Sequence, residues 1–180
     1  MAAQSDSERC ARSREHRAVH QAFECGNLQE LRTALGDPPD FPNAPIPFAL
    51  AVGEFCLEYA IYWSPIAFIR ELLEAGANPN YDDHTGFPSL IAALERDRPD
   101  RHEVLALLLS ARADTGQRGI NDLTPLHYAV MKRDLRAIEL LLEFGADPHS
   151  RTRIDDCSTP LEDARKMQFT KAVEILERQQ

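Results

Sequence analysis

The chain has 180 residues, of which 43% are hydrophobic, and this is enough to close the core of one ordinary domain. Its formal net charge is −9 and it contains no run of Lys and Arg, so we expect no nucleic-acid partner. The four cysteines are widely scattered, without a Cys-x-x-Cys or a nearby His pair, and are predicted to be free thiols. They are Cys10, Cys25, Cys56 and Cys157.

Residues 1–15 are polar and charged, and we predict a flexible tail there rather than a secretory signal. No stretch approaches the ~18 apolar residues of a membrane span, so we expect no membrane part. A cytoplasmic location fits the free thiols and the absence of a signal pattern. Export by a machine that reads no cleavable signal is a second possibility.

A short pattern recurs along the chain at a nearly constant spacing. Its clearest copy is Thr124-Pro125-Leu126-His127-Tyr128-Ala129, with Ala129 as the anchor. Neighbouring copies place an anchor alanine 36 residues earlier and 35 residues later. With two further copies upstream, the sequence contains five anchors, which are Ala22, Ala60, Ala93, Ala129 and Ala164.

A second apolar segment follows every anchor, and its apolar positions fall three and four residues apart. This spacing places them on one stripe of a helix. In the last copy one apolar column turns polar, which an end repeat needs because no neighbour covers its outer face. That column reads Leu35, Leu73, Leu109, Leu142 and Glu177.

Turn signals follow the second predicted helix, as in Gly76-Ala77-Asn78 and Gly145-Ala146-Asp147. Gly permits the left-handed residue that ends a helix, and Asn or Asp starts a turn through its own side chain. Each unit is therefore predicted to be a helix, a turn, a second helix and a turned loop.

The Thr-Pro-Leu-His-x-Ala hexapeptide and the Gly-Ala-Asp loops resemble the ankyrin-repeat family, whose period is about 33 residues. The resemblance covers about residues 16–180. It implies an all-α fold, a solenoid of about five helix-turn-helix units with short turned loops, in which the first and last repeats act as caps. In that family the Thr caps the first helix, the Pro occupies its first turn and the Leu enters the core. The units are expected at about residues 16–36, 55–80, 88–115, 124–149 and 159–178.

Two segments depart from this pattern. The loop at residues 37–54 is rich in proline, so it is either an irregular stiff arm or the first helix of the second repeat starts early, near Phe48. In the third unit, the link from Leu94 to Arg101 is three residues longer than its counterpart from Val130 to Asp134.

The histidines have simpler explanations than catalysis. His20 and His127 occupy the column in which the family uses an imidazole to tie repeats together. His84, His102 and His149 have no partner at a fixed spacing in the sequence and are expected to be solvated.

Other catalytic or metal-binding patterns are weak or missing. The acidic pairs Asp82-Asp83 and Asp155-Asp156 have no third ligand close in sequence, and adjacent residues in a turn point apart. The sequence has no Gly-rich phosphate loop, nucleophile elbow or His-Glu-x-x-His pattern. We therefore expect no enzyme activity, no cofactor and no metal.

The resemblance instead implies protein binding through loop tips and the ends of the first helices, on a concave side. Carried over position by position, these places contain an unusual number of apolar side chains, which is typical of interface hot spots. We predict a monomeric adaptor or inhibitor; an oligomerising or regulatory module acting through convex helices or the Pro-rich arm is the alternative. The predicted partner-binding residues are Tyr62, Trp63, His84, Phe87, Ile120, Leu123, Met131 and Lys132.

Overall fold

The computed structural model describes residues 15–46, 54–81, 86–154 and 156–179, which divide into two compact units, 1–78 and 79–180. Residues 1–14 of the predicted tail, the predicted early helix start near Phe48, the pair Asp82-Asp83 and Asp155 lie outside the described residues, as does His84. The last residue of the predicted tail, Glu15, is helical. Within the described part no helix has both the length and the apolar run that crossing a bilayer requires.

Unit 1 contains two helix pairs in its described residues. Helix α1 covers residues 15–25 and is followed by α2 at Leu28–Ala34. The second pair is α3 at Cys56–Trp63 and α4 at Ile66–Glu74.

The described residues of unit 2 contain three helix pairs. They are α5 (Ser89–Glu95) with α6 (Arg101–Ser110), α7 (Pro125–Met131) with α8 (Leu135–Glu143), and α9 (Pro160–Lys166) with α10 (Thr170–Glu177). A short 3-10 turn at Ile120–Asp122 precedes α7. Helices α5, α7 and α9 pack side by side in one layer, and α6, α8 and α10 form the second layer. The predicted all-α fold of paired helices is confirmed.

The Thr-Pro sequence starts helices as predicted. Thr124 accepts a hydrogen bond from the backbone N–H of His127, and Pro125 occupies the first turn, where no amide donor is needed. Thr159 does the same for α9 and forms a full capping box with Glu162. Local sequence therefore sets where these first helices begin.

Asparagine side chains connect the loops of successive repeats within each unit. Asn43 donates to the Gly76 carbonyl at 2.9 Å and accepts from the Asn78 N–H at 2.7 Å. Asn80 repeats this arrangement one period later, donating to the Arg112 carbonyl at 3.1 Å. Each Asn side chain therefore links its own loop to the turn of the next repeat.

The described part of the Pro-rich loop packs onto unit 1 and does not extend as an arm. Ile46 is buried, and its N–H donates to the Glu54 carbonyl at 2.8 Å. The guanidinium of Arg32 lies 5.8 Å from the centre of the Phe41 ring. Among the described residues the only strand-like pairing is one antiparallel bridge between Pro45 and Phe55.

The longer link of the third repeat is organised by a buried arginine. Arg96 has 1% of its surface exposed and makes two 2.9 Å hydrogen bonds to the carboxylate of Asp100. These hydrogen bonds lower the pKa of Asp100 below its ordinary value. A bidentate pair of this kind gives the inserted residues a fixed shape.

Candidate functional site

Two loops of unit 2 meet at a contact that only glycine permits. The N–H of Ile120 donates to the Gly86 carbonyl at 2.8 Å. A Cβ atom at Gly119 would lie 2.5 Å from that same carbonyl oxygen and 2.6 Å from Cδ1 of Ile91. Neither distance is possible for a real side chain, so Gly119 allows the close approach that places Ile120 at the loop tip.

Asp122 joins this loop to the following one. Its carboxylate accepts from Arg118 Nη1 at 2.8 Å, from Arg153 Nε at 2.9 Å and from the Arg153 backbone N–H at 2.6 Å, with a further contact to Arg153 Nη2. The hydrogen bonds from Arg153 are the main reason that the pKa of Asp122 is lowered to about 2. The carboxylate is therefore charged at any physiological pH, and the two loop tips are held in register.

A cleft of about 170 Å³ opens beside these loops. Met131, at the end of α7, has 50% of its surface exposed, and Ile154 has 46% exposed, whereas Leu123 is buried. Aliphatic residues that remain this exposed around a concave site are typical of a binding surface. The cleft is lined by Asn121, Leu123, Met131, Thr152, Ile154, Asp156 and Ser158.

The charged side chains near the cleft have partners within the chain. Lys132 Nζ lies 2.7 Å from Glu95 Oε1 and 5.5 Å from the centre of the Tyr128 ring. Lys166 donates to Asp156 at 2.7 Å, and this hydrogen bond lowers the pKa of the Asp156 carboxyl. The cleft is therefore lined by three apolar and four polar side chains, and the charged groups beside it are paired within the chain.

A second group of exposed apolar residues belongs to unit 1. Trp63, the last residue of α3, has 44% of its surface exposed, and Tyr62 beside it is half-buried. The Trp63 ring lies 5.9 Å from the His20 ring in an edge-on arrangement and 6.2 Å from the Tyr59 ring. His20 Nδ1 and the Tyr59 hydroxyl are 2.6 Å apart, so this aromatic cluster has a fixed geometry.

Of the predicted binding residues, Leu123 and Met131 line the cleft. Ile120 lies in the 3-10 turn before α7, and Lys132 follows Met131 at the end of that helix. Phe87 is half-buried, and its carbonyl accepts from the Tyr81 hydroxyl at 3.2 Å. Tyr62 and Trp63 lie at the end of α3 in unit 1.

Sequence reasoning missed Ile154, which lines the cleft. The available signal was an isolated aliphatic residue within a charged loop, from Arg151 to Asp156.

The histidines have different roles in the structure. His127 is fully buried; its Nε2–H donates to the Ser158 carbonyl at 3.0 Å, which ties α7 to the next repeat as predicted. The prediction of a solvated His102 is wrong, because its Nε2 lies 2.8 and 2.9 Å from the two oxygens of Asp134. The buried carboxylate of Asp134 is therefore a direct partner of this imidazole, whose side chain remains 34% exposed.

Cys25, Cys56 and Cys157 form no disulfide bond, and burial raises the pKa of the Cys56 thiol to about 12, so that thiol is unreactive. Within the described residues no group of three His, Cys, Asp or Glu side chains is arranged to hold a metal ion.

Comparison with known proteins agrees with this geometry. Residues 121–153 match the ankyrin repeat family. A stretch of 109 residues, 61% of this chain and 10% of the relative, is 29% identical to inversin from Mus musculus. A stretch of 166 residues, 89% of this chain and 23% of the relative, is 30% identical to the mitochondrial disaggregase of Bos taurus. The putative E3 ubiquitin-protein ligase XBAT35 of Arabidopsis thaliana is 32% identical over 111 residues, which are 61% of this chain and 23% of the relative.

The chain thus spans less than a quarter of the length of these relatives. The family match covers the repeat that contains the full Thr-Pro-Leu-His-x-Ala motif. The structure agrees with this match, since it has paired helices, Thr caps and a buried His127 that contacts the next repeat. Residues 121–153 therefore match an ankyrin repeat, and the chain is similar to proteins of that family.

Proposed function

We propose that this chain is a non-enzymatic adaptor or inhibitor that binds a protein partner through the loop tips and first helices of its repeats. Ankyrin repeats are in general protein-interaction modules. The observation that carries the proposal is the cleft of unit 2, in which Met131 and Ile154 remain about half exposed beside the buried Leu123.

The rigidity of the cleft supports binding. Asp122 holds the two loop tips through Arg118 and Arg153, and the buried Leu123 fixes the floor. A surface that is already ordered loses little conformational entropy on association, so its apolar area contributes more fully to affinity. We expect an aliphatic or aromatic side chain of the partner to enter between Met131 and Ile154.

The chemistry of the cleft favours binding over catalysis. Asp156 is the one titratable side chain among the lining residues, and it is paired with Lys166 at 2.7 Å. General acid–base catalysis needs a titratable group free to exchange a proton with a substrate. Although two relatives are named as a disaggregase and a putative ubiquitin ligase, the chain covers only 23% of either, so we do not assign it those activities.

The test compares two exposed apolar residues of unit 2. Met131→Asp places a charge in the cleft, whereas Phe144→Asp makes the same kind of change at the end of α8, where 42% of the Phe surface is exposed. We expect Met131→Asp to abolish capture of a specific partner from lysate and Phe144→Asp to retain it. Both variants should keep the helical circular dichroism and melting temperature of the parent, because neither side chain is buried.

Two results would count against this assignment. Equal capture by the parent and by Met131→Asp would exclude the cleft as the docking site. If the purified chain self-associates in light scattering and only Phe144→Asp makes it monomeric, the oligomerising module becomes the better description.

A further inference from the structure

Unit 1 has a strongly one-sided charge. Its described residues contain three arginines, Arg17, Arg32 and Arg70, and no lysine. Against these stand nine carboxylates. They are Glu15, Glu24, Glu30, Asp37, Asp40, Glu54, Glu58, Glu71 and Glu74. Glu58 is buried and the other eight are exposed. A surface with this balance attracts cations and repels phosphate backbones and acidic segments.

One of these carboxylates lies beside the aromatic cluster. Glu24 Oε1 is 3.4 Å from His20 Nε2, and the Glu24 side chain is 58% exposed. The same imidazole contacts the Trp63 ring edge-on at 5.9 Å. Burial and, after it, the charge of Glu24 raise the pKa of the Tyr59 hydroxyl, so the field of this carboxylate reaches the cluster.

The exposed indole and the carboxylate therefore flank one imidazole. Indole is the strongest aromatic partner for a cation, and a guanidinium or ammonium is held when it lies within about 6 Å of the ring centre. Because 44% of the Trp63 surface is exposed, a side chain from outside can reach the ring. The nearby Glu24 supplies the opposite charge.

We propose that Trp63 and Glu24 form an anchor for a positively charged, arginine-containing segment of the protein partner. This inference deepens the proposed function and rests on it, but it concerns unit 1 and can fail while the cleft of unit 2 binds normally. Arginine is favoured over lysine because its planar guanidinium stacks on an indole and pairs with a carboxylate at the same time.

The experiment uses the full chain and the fluorescence of Trp63, which is the only tryptophan of the sequence. The probe is a peptide of alternating arginine and glycine, and the matched control replaces each arginine by citrulline, which keeps the shape and removes the charge. We expect the arginine peptide to change the Trp63 emission in a saturable, salt-sensitive manner. The citrulline peptide should bind at least about fivefold more weakly, since it loses both the cation–π contact and the ion pair.

Two variants, followed by calorimetry, identify the site. Trp63→Leu should weaken the arginine peptide about two- to fivefold, which is the effect of one exposed cation–π contact. Glu24→Gln should weaken it by up to about fivefold. Glu30→Gln removes the same charge from the first turn of α2, away from the aromatic cluster, and should have less effect than Glu24→Gln.

Three outcomes would overturn the inference. They are equal binding of the arginine and citrulline peptides, an unchanged affinity in Trp63→Leu, or equal losses in Glu24→Gln and Glu30→Gln, which would show only a response to net charge. Loss of partner capture in Met131→Asp together with any of these would leave the proposed function standing and remove the anchor alone.

Discussion

Asp134 connects two helices of unit 2, and its replacement gives a measurable test of how neighbouring repeats are held together. Its side chain caps α8 by accepting from the Ala137 N–H at 3.2 Å. The same carboxylate lies 2.8 Å from Arg101 Nη2 and 2.8 Å from His102 Nε2, both at the start of α6. Only 6% of the Asp134 side chain is exposed, against 41% for Arg101 and 34% for His102.

The magnitude follows from these contacts. Loss of an N-cap costs about 1 kcal/mol. Exposed ion pairs contribute about 0.2–1 kcal/mol to stability, and breaking a fully buried pair costs about 3–5 kcal/mol. Because the Asp134 carboxylate is buried and its partners are half-exposed, we expect the loss of its contacts to Arg101 and His102 to cost about 1–2 kcal/mol. Asp134→Asn keeps a good cap and should lower the free energy of unfolding by about 1–2 kcal/mol, whereas Asp134→Ala should lower it by about 2–3 kcal/mol.

Urea denaturation followed by far-ultraviolet circular dichroism measures both losses. Trp63 fluorescence, which reports on unit 1, shows whether unit 1 unfolds at the same urea concentration. Asp97→Asn, which changes an exposed carboxylate in the link before α6, is the control and should stay within about 0.5 kcal/mol of the parent. The reasoning is refuted if Asp134→Asn is as stable as the parent, because the contacts to Arg101 and His102 would then contribute nothing.

Two further predictions concern titration and loop order. Burial lowers the pKa of His127, and the Ser158 carbonyl raises it by less; the unfolded chain therefore binds this proton more tightly, and stability decreases as the pH falls below about 6.5. His127→Gln should be less stable than the parent at neutral pH but should lose less stability between about pH 7 and pH 5. Urea denaturation at each pH measures this, and an unchanged dependence of the free energy of unfolding on pH would assign the loss to other groups. Asp122→Asn keeps a side chain that tolerates the left-handed φ of 60° but removes the charge held by Arg153. Hydrogen exchange at the Arg153 amide should accelerate about tenfold, and unchanged protection there would show that other contacts hold the loop.

The acid sensitivity of Asp134 has the opposite origin from that of His127 but the same direction. Burial raises the pKa of Asp134, and the hydrogen bonds from His102 and the Ala137 N–H, with the charge of Arg101, lower it by more. A lowered carboxyl pKa contributes stability that is complete above about pH 3.9 and is lost as the pH falls further. Mild acid therefore reports on His127, and stronger acid on the carboxylates.

Several features of the fold could be predicted because they depend on local sequence and on the repeat period. Thr124 and Pro125 start α7 by satisfying or omitting amide donors, whatever lies around them. The polar Glu177 of the last repeat is exposed and pairs with Arg165 at 2.7 Å, as an end without a further neighbour allows. Such features recur at each copy, so alignment of the copies reveals them.

The departures from the repeat could be located but not explained from the sequence. The extra residues after Leu94 predicted an irregular link. They did not predict that Arg96 would be buried and in contact with Asp100. Arginine is rarely buried, and here a bidentate hydrogen-bonded partner compensates for its desolvation.

The sequence by itself determined the paired helices, their caps and the order of the repeats, because these follow from periodic burial and from backbone donors satisfied within a few residues. Only the tertiary structure decided which side chains of adjacent loops meet. His102 contacts Asp134, which is 32 residues away in sequence, and Asp122 contacts Arg153, which is 31 residues away. Both separations are about one repeat. The period places such residues near one another, but the rotamers and loop shapes that bring a carboxylate to a cation depend on packing. The cleft beside Met131 depends on those same contacts, so the position of Ile154 in its lining could be found only from the folded chain.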